Sequence, residues 1–287
     1  MDSPAAQSDG NPGWAVAVGG SAGSVEALKQ VAAGLPAHLS CSVLVAIHLP
    51  HSAPSVLADI LDRSGPLTAV TARNGDQLRP GHIYVAVPNR HLLVAEGRLV
   101  LSGGPAEDGH RPAINALFRS VAVAFADRAV GLLLSGVLDD GVAGLAAIHD
   151  CGGSTMAQDP DEAIFAGMPR RAVDAGVVDQ RVSAANVGRL LADLVERRVE
   201  TKHAVADPHV LLENRVAMDP GQVGAPDVRE QNALRIALRS LRDRARLSRG
   251  LAANVGPGSL RNRYVETAVE AEGAAAVLAE LITDGGS

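Results

Sequence analysis

The chain has 287 residues, 47 % hydrophobic and 20 % charged, with a formal net charge of −6, a length that allows one large core or one core with an appendage. Aromatic residues make up only 2 %, so stacking platforms for single-stranded nucleic acid are scarce, and the acidic balance also argues against a nucleic-acid partner. Residues 1–13 are small and polar without the pattern of a secretion signal, and no apolar run of about 18 residues follows, which predicts a cytoplasmic protein without membrane insertion.

After the 1–13 tail, β-branched runs alternate with Ala/Leu-rich stretches up to about residue 198. Strands are expected at 14–18, 42–48, 67–72, 82–87, 92–95, 98–101 and 130–135, and helices at 24–34, 54–63, 112–125, 143–151, 170–175 and 184–197. Strand followed by helix, repeated, predicts an α/β domain over 14–198: a doubly wound, mainly parallel sheet with helices on both faces. The closely spaced strands around Asn74-Gly75 and Glu96-Gly97 read as a β-hairpin on one edge. Residues 199–228, with Pro208, Pro220 and Pro226, read as a linker or irregular segment. Residues 229–287 read as a helical hairpin, with helices near 228–253 and 259–282 parted by Gly256-Pro257-Gly258. Its first helix carries Arg235, Arg239, Arg242, Arg246 and Arg249 on overlapping turns, either a solvated face or a contact for an acidic partner. Cys41 and Cys151 are too few for a Cys-rich zinc site and read as buried small hydrophobes.

The stretch "AVAVGGSAGSVEAL" breaks from strand into helix around Ser21. It is not G-x-G-x-x-G, because Ala22 stands where glycine is needed, and no Gly-Lys-Ser/Thr follows. Gly19-x-Ser21-x-Gly23 instead fits a serine raised on a sharp strand-to-helix turn, although a glycine turn with a serine cap has the same appearance. His48 ends the second strand, one βαβ repeat after Ser21, so adjacent strand tips would bring the two together. Asp139 and Asp140 follow the strand at 130–135, and one of them could accept the Nδ1 proton of His48 while His48 takes the proton of Ser21. Backbone N–H groups around Gly20 and Ala22, at the start of a helix, could then hold an oxyanion. The other histidines lack metal-ligand spacing; His82, His91 and His110 read as surface or structural residues.

Six blocks, "AVGGSAGSVEAL", "VLVAIHLP", "LRPGHIYVAVPNRHL", "HRPAINALFRSVA", "GLLLSGVLDDGVAGL" and "AQDPDEAIFAGMPRRAVDAG", resemble in order and spacing the catalytic domain of CheB-type protein-glutamate methylesterases. The resemblance covers about residues 14–198. It implies a doubly wound α/β domain that hydrolyses glutamyl γ-methyl esters on methylated receptor helices, with glutamine deamidation in many members, and needs no metal or other cofactor. Carried over by motif, Ser21 is the nucleophile, His48 the base and Asp140, the aspartate before Gly141, the third member; Met168 would wall the methyl ester pocket. The chain departs from the commoner forms at Ala22 (often threonine), Ser24 (often glycine), Asn115 (often aspartate) and in residues 135–141, where T-G-M-G-x-D-G reads S-G-V-L-D-D-G. Relatives tied to chemotaxis commonly carry an N-terminal receiver domain; the dozen residues before Trp14 are too few for one, so control by phosphorylation in cis is not expected. A serine hydrolase or amidase with another acyl substrate, or a non-catalytic signalling scaffold, are the alternative readings.

Overall fold

The computed structural model describes residues 13–48, 56–137, 139–197, 208–218 and 257–284, with the single helical positions 238, 245, 249, 252 and 253. The chain divides into two compact units, Met1–Asp207 and Pro208–Ser287.

In the first unit the strands are β1 (Trp14–Gly20), β2 (Cys41–Ile47), β3 (Thr68–Thr71), β4 (His82–Val85), β5 (His91–Ala95), β6 (Arg98–Ser102), β7 (Ala129–Leu133), β8 (Ser154–Gln158) and β9 (Gln180–Val182). Seven of them form one parallel sheet in the order β3-β4-β2-β1-β7-β8-β9. The order reverses beside β1, and in open α/β sheets the crevice at such a point, beyond the carboxyl ends of the strands, is where ligands bind. The central strands read as continuous apolar runs because both faces are covered: every residue of β1, β2 and β7 is buried. On one face α1 (Ser24–Gly34) packs against α2 (Leu57–Ser64) and α6 (Val187–Arg197), closing a core over Val16, Val18, Val43, Val45 and Leu132. On the other, α3 (Ile114–Phe125) packs against β1 and α4 (Val142–Asp150).

The hairpin strands β5 and β6 pair antiparallel in a sheet of their own, and β5 lies against α3. With the main sheet beneath it and the hairpin against it, α3 buries ten of its residues, among them Ile114, Leu117, Phe118 and Val121. Each such side chain contributes on the order of 1.5–3 kcal/mol on burial.

Two strands lie beyond the sequence expectation. β8, "STMAQ", is fully buried yet reads as polar; Thr155 and Gln158 find partners, Thr155 Oγ1 accepting from the Asp179 N–H at 3.0 Å and Gln158 Oε1 from the Ser135 N–H at 2.9 Å. β9 is a three-residue edge strand, too short for any periodicity. α5 (Gly167–Asp174) begins three residues earlier than expected.

In the second unit, α7 (Pro208–Ala217) occupies part of the stretch read as irregular linker, which corrects that reading for these residues. Pro208 opens the helix, the position where a missing N–H costs nothing. α8 (Ser259–Asp284) buries Ala268, Ala271 and Ala275 and packs on α7. Of the five arginines singled out in sequence, Arg249 pairs in bidentate fashion with Glu272 of α8, at 2.6 Å for both contacts; Arg235, Arg239, Arg242 and Arg246 lie outside the described residues. Among the described residues no helix is long and apolar enough to cross a membrane.

Candidate active site

Strand register builds the site. Gly20 of β1 pairs with Ile47 of β2, so Ser21 and His48 leave the sheet level with one another, and the His48 N–H donates to the Gly20 carbonyl at 3.2 Å. Gly19 pairs with Leu133 of β7, so Ser135 also emerges beside Ser21, whose N–H donates to the Ser135 carbonyl at 2.9 Å. Three adjacent strand tips thus present Ser21, His48 and Ser135 side by side.

The His48 ring meets Asp140: its Nε2 lies 2.8 Å from Asp140 Oδ2, with the two side chains 8 % and 0 % exposed. This reverses the ring as read from sequence, where Nδ1 faced the aspartate. Nδ1, the nitrogen nearer the backbone, is buried and has no hydrogen-bond partner among the described residues. With a proton on Nε2 shared with the carboxylate, the Nδ1 lone pair is free to act as a base. Ser21 is half-buried, and its Oγ makes no hydrogen bond among the described residues.

Asp140 is held by more than the imidazole. Its Oδ2 also accepts from the Ile114 N–H at 2.7 Å and its Oδ1 from the Asn115 N–H at 2.8 Å, so the carboxylate caps the N-terminus of α3, where the helix dipole favours a negative charge. The cap is reciprocal. Asn115 Oδ1 accepts from the Gly141 and Gly144 N–H groups at 2.9 and 2.8 Å and so caps α4, and its Nδ2 donates to Asp108 Oδ2 at 3.3 Å. An aspartate at position 115 would keep the first function and lose the second. Asp139 is exposed and forms an ion pair with Arg171, whose Nη1 also donates to the Val137 carbonyl at 2.8 Å. Of the two candidate aspartates, only Asp140 meets His48.

His110, read as surface or structural, lies on the catalytic side: its ring stacks on His48 with centroids 3.7 Å apart and planes 10° from parallel. It is carried by a tight turn in which Glu107 and His110 exchange backbone hydrogen bonds at 3.2 and 2.8 Å across Asp108 (φ 50°) and Gly109 (φ 77°). Positive φ at both central positions is the Asp-Gly hairpin geometry, so "EDGH" carried the signal for the turn though not for its target. Arg119 of α3 ties Glu107 down. Loss of solvation pushes the Asp108 carboxyl above its usual range, reinforced by the negative charges of Asp140, Glu107 and Asp139 and opposed by Arg119. His91 is buried and structural, between the Pro105 carbonyl at 2.8 Å from Nε2 and the Ala113 N–H at 3.3 Å from Nδ1. His82 lies at the start of β4, with Nδ1 3.0 Å from the Pro80 carbonyl.

The remaining sequence candidates divide. Ala22 sits in the turn after Ser21, half-buried. Gly20 belongs to β1 and serves by its small size: a Cβ there would come within 2.6 Å of Ser24 Cβ. Met168 is fully buried, its Sδ and Cε packed against Gly136, so it shows no surface to the crevice. Exposed apolar surface near Ser21 comes from Ile164 and Phe165, 64 % and 43 % exposed; a Cβ on Gly23 would meet Ile164 Cβ at 2.9 Å and Phe165 Cδ2 at 3.0 Å. Val137, beside Gly136, is 46 % exposed. Cys41 and Cys151 are both buried, and burial pushes the Cys41 thiol up to about 12, far from a nucleophile's range. Among the described residues no group of three or more His, Cys, Asp or Glu could hold a metal ion.

Comparison with known proteins bears on this arrangement directly. The family model described as CheB methylesterase matches residues 16–191, more than half of the chain. The chain belongs to the CheB methylesterase family. A Myxococcus xanthus protein named protein-glutamate methylesterase/protein-glutamine glutaminase 1 is 38 % identical over 193 residues, covering 66 % of this chain and 56 % of its own length. A Pseudomonas aeruginosa protein named protein-glutamate methylesterase/protein-glutamine glutaminase 2 is 37 % identical over 187 residues, covering 64 % and 53 %. The chain thus spans about half the length of these curated relatives. The crystal structure of the Thermotoga maritima CheB methylesterase catalytic domain superposes with a TM-score of 0.61 at 25 % identity, covering 65 % of this chain and all of that one. The CheB fold, a parallel sheet wrapped by helices, is therefore the fold of the first unit.

Proposed function

We propose that this CheB family member hydrolyses glutamyl γ-methyl esters on chemoreceptor-type proteins, with Ser21, His48 and Asp140 as its triad. The carrying observation is the His48 ring, on the strand tip next to that of Ser21, bonded at Nε2 to a buried Asp140 and with a buried Nδ1 that has no partner among the described residues. In the reaction Ser21 Oγ turns about χ1 toward Nδ1, gives up its proton there and attacks the ester carbonyl carbon. Asp140 stabilises the imidazolium that forms. The proton then passes from His48 to the methoxy oxygen, methanol leaves, and a water activated by His48 cleaves the glutamyl-serine ester to restore Ser21 and a free carboxylate. The same steps on a γ-amide release ammonia, which agrees with the glutaminase in the relatives' names. The exposed Ile164 and Phe165 give the crevice an apolar rim suited to a helix surface.

The test is methanol release from a methyl-esterified receptor cytoplasmic domain by wild type and Ser21→Ala. Release by wild type alone supports the reading. Absence of release, with wild-type Ser21 still labelled by a fluorophosphonate, would leave a serine hydrolase with another acyl substrate.

A further inference from the structure

In the turn after Ser21 the Ser21 and Ala22 carbonyls are engaged, while the Ala22 and Gly23 N–H groups have no acceptor among the described residues. The Ser21 N–H is spent on the Ser135 carbonyl at 2.9 Å, so the nucleophile's own amide is not an oxyanion donor. The Ser21 carbonyl accepts twice from Ser24, from its N–H at 3.1 Å and its Oγ–H at 2.6 Å. The Ala22 carbonyl accepts from Ser135 Oγ–H at 2.8 Å. In a trans peptide the C=O and N–H point in opposite directions, and both the Ser21–Ala22 and Ala22–Gly23 peptides are trans. Fixing the two carbonyls therefore aims the N–H of Ala22 away from Ser24 and that of Gly23 away from Ser135. Among the described residues neither N–H has an acceptor.

We infer that Ala22 N–H and Gly23 N–H are the oxyanion donors, and that the Ser24 and Ser135 hydroxyls are positioning residues that lock those two peptides in place. This rests on the esterase reading for the reaction but not for its substrate: any attack by Ser21 on an acyl carbon moves the carbonyl π pair onto oxygen, which these two N–H groups receive as Ser21's proton goes to His48. Both hydroxyls are in fully buried residues. Ser135 has all its polar groups engaged, its N–H donating to Gln158 Oε1 at 2.9 Å and its Oγ accepting from the Phe165 N–H at 3.0 Å, so its hydroxyl cannot turn away from Ala22 without leaving a partner unpaired. Gly23, with φ 75°, fits here because a Cβ would come within 2.8 Å of Ser135 Oγ.

The test uses Ser24→Ala, Ser135→Ala and Ser135→Thr in the full chain, reading kcat, KM, the rate of fluorophosphonate labelling of Ser21, and Tm. Losing an oxyanion donor outright costs about 100- to 1,000-fold, so loosening one should lower kcat and labelling together by roughly tenfold in Ser24→Ala. KM should stay within about twofold and the pH profile should not move, since His48 and Asp140 are untouched. Ser135→Thr should recover most of the Ser135→Ala loss by restoring the hydroxyl. Alanine is favourable in the first turn of a helix, so Ser24→Ala decides the matter if Ser135→Ala does not fold. A folded Ser24→Ala with wild-type kcat and labelling rate overturns the inference, as does a shifted pH profile or a loss confined to KM. If labelling falls as expected while wild type releases no methanol from the receptor domain, the oxyanion assignment stands and the substrate assignment fails.

Discussion

Replacing Asp140 by asparagine keeps the shape of the side chain and removes its charge, and the bonds on its two oxygens allow the cost to be worked through. Oδ2 serves two donors, His48 and the Ile114 N–H, while Oδ1 serves the Asn115 N–H alone. The asparagine therefore places its oxygen at the Oδ2 site and its NH2 against the Asn115 N–H. Two buried donors, the Asn115 N–H and the new NH2, are left facing one another unpaired, at about 1–3 kcal/mol each, and two charge-assisted bonds become neutral ones, at about 1 kcal/mol each. The relief of no longer burying a carboxylate offsets part of this, leaving a net destabilisation of about 2–4 kcal/mol. At about 2–4 °C per kcal/mol, Tm should fall by about 4–16 °C. Activity should fall further, by about 10⁴ in kcat, because the imidazolium loses its counter-charge. The paired assays are methanol release and thermal melting, with Ser21→Ala as the control that loses turnover while melting within about 2 °C of wild type, since its hydroxyl makes no hydrogen bond among the described residues. An Asp140→Asn protein that melts with wild type would refute the capping argument, and one that keeps a tenth of wild-type kcat would refute the electrostatic one.

Three further outcomes follow from the same geometry. His110→Ala should lower kcat by about tenfold by freeing the His48 ring, and His110→Phe should restore most of it, since a flat ring keeps the stack; failure of phenylalanine to restore turnover would show that the imidazole nitrogens, not the stack, matter. Asn115→Ala removes the cap of α4 and should cost about 1–2 kcal/mol in denaturant unfolding, and an unchanged midpoint would contradict the cap. Burial holds the His91 imidazole below its usual range. Its stabilising contribution is thus complete above the unfolded value of about 6.5 and is lost as pH falls through the folded value; Tm measured from pH 7.5 downward should drop more steeply in wild type than in His91→Gln, and parallel curves would refute this.

The sheet was readable from sequence where burial and composition agree. β1, β2 and β7 are apolar runs because both faces are covered, and the residues at their tips follow from parallel register, which is why Ser21 and His48 could be set side by side and the choice narrowed to Asp139 or Asp140. β8 escaped because its buried Thr155 and Gln158 satisfy their polar groups through residues distant in sequence. The orientation of the His48 ring escaped because spacing along the chain does not say which nitrogen faces which neighbour. His110 escaped for a related reason: the turn was written in Asp108-Gly109, but where a turn points depends on what it packs against. Met168 showed the converse, a residue tied to the site by motif whose side chain lies wholly in the core.

The bonds on Asp140 make the three proposed triad residues unequal witnesses to activity. The carboxylate ties α3 to the loop before α4, so a descendant that had given up hydrolysis and kept only a scaffolding role would still be under pressure to keep it, together with Asn115. His48, joined to that carboxylate through a buried bond, would be lost slowly. The Ser21 hydroxyl holds nothing else together among the described residues, and drift would remove it first. Among relatives of this chain, an intact aspartate therefore testifies to the fold, and the serine is the position that distinguishes a working hydrolase from a retired one.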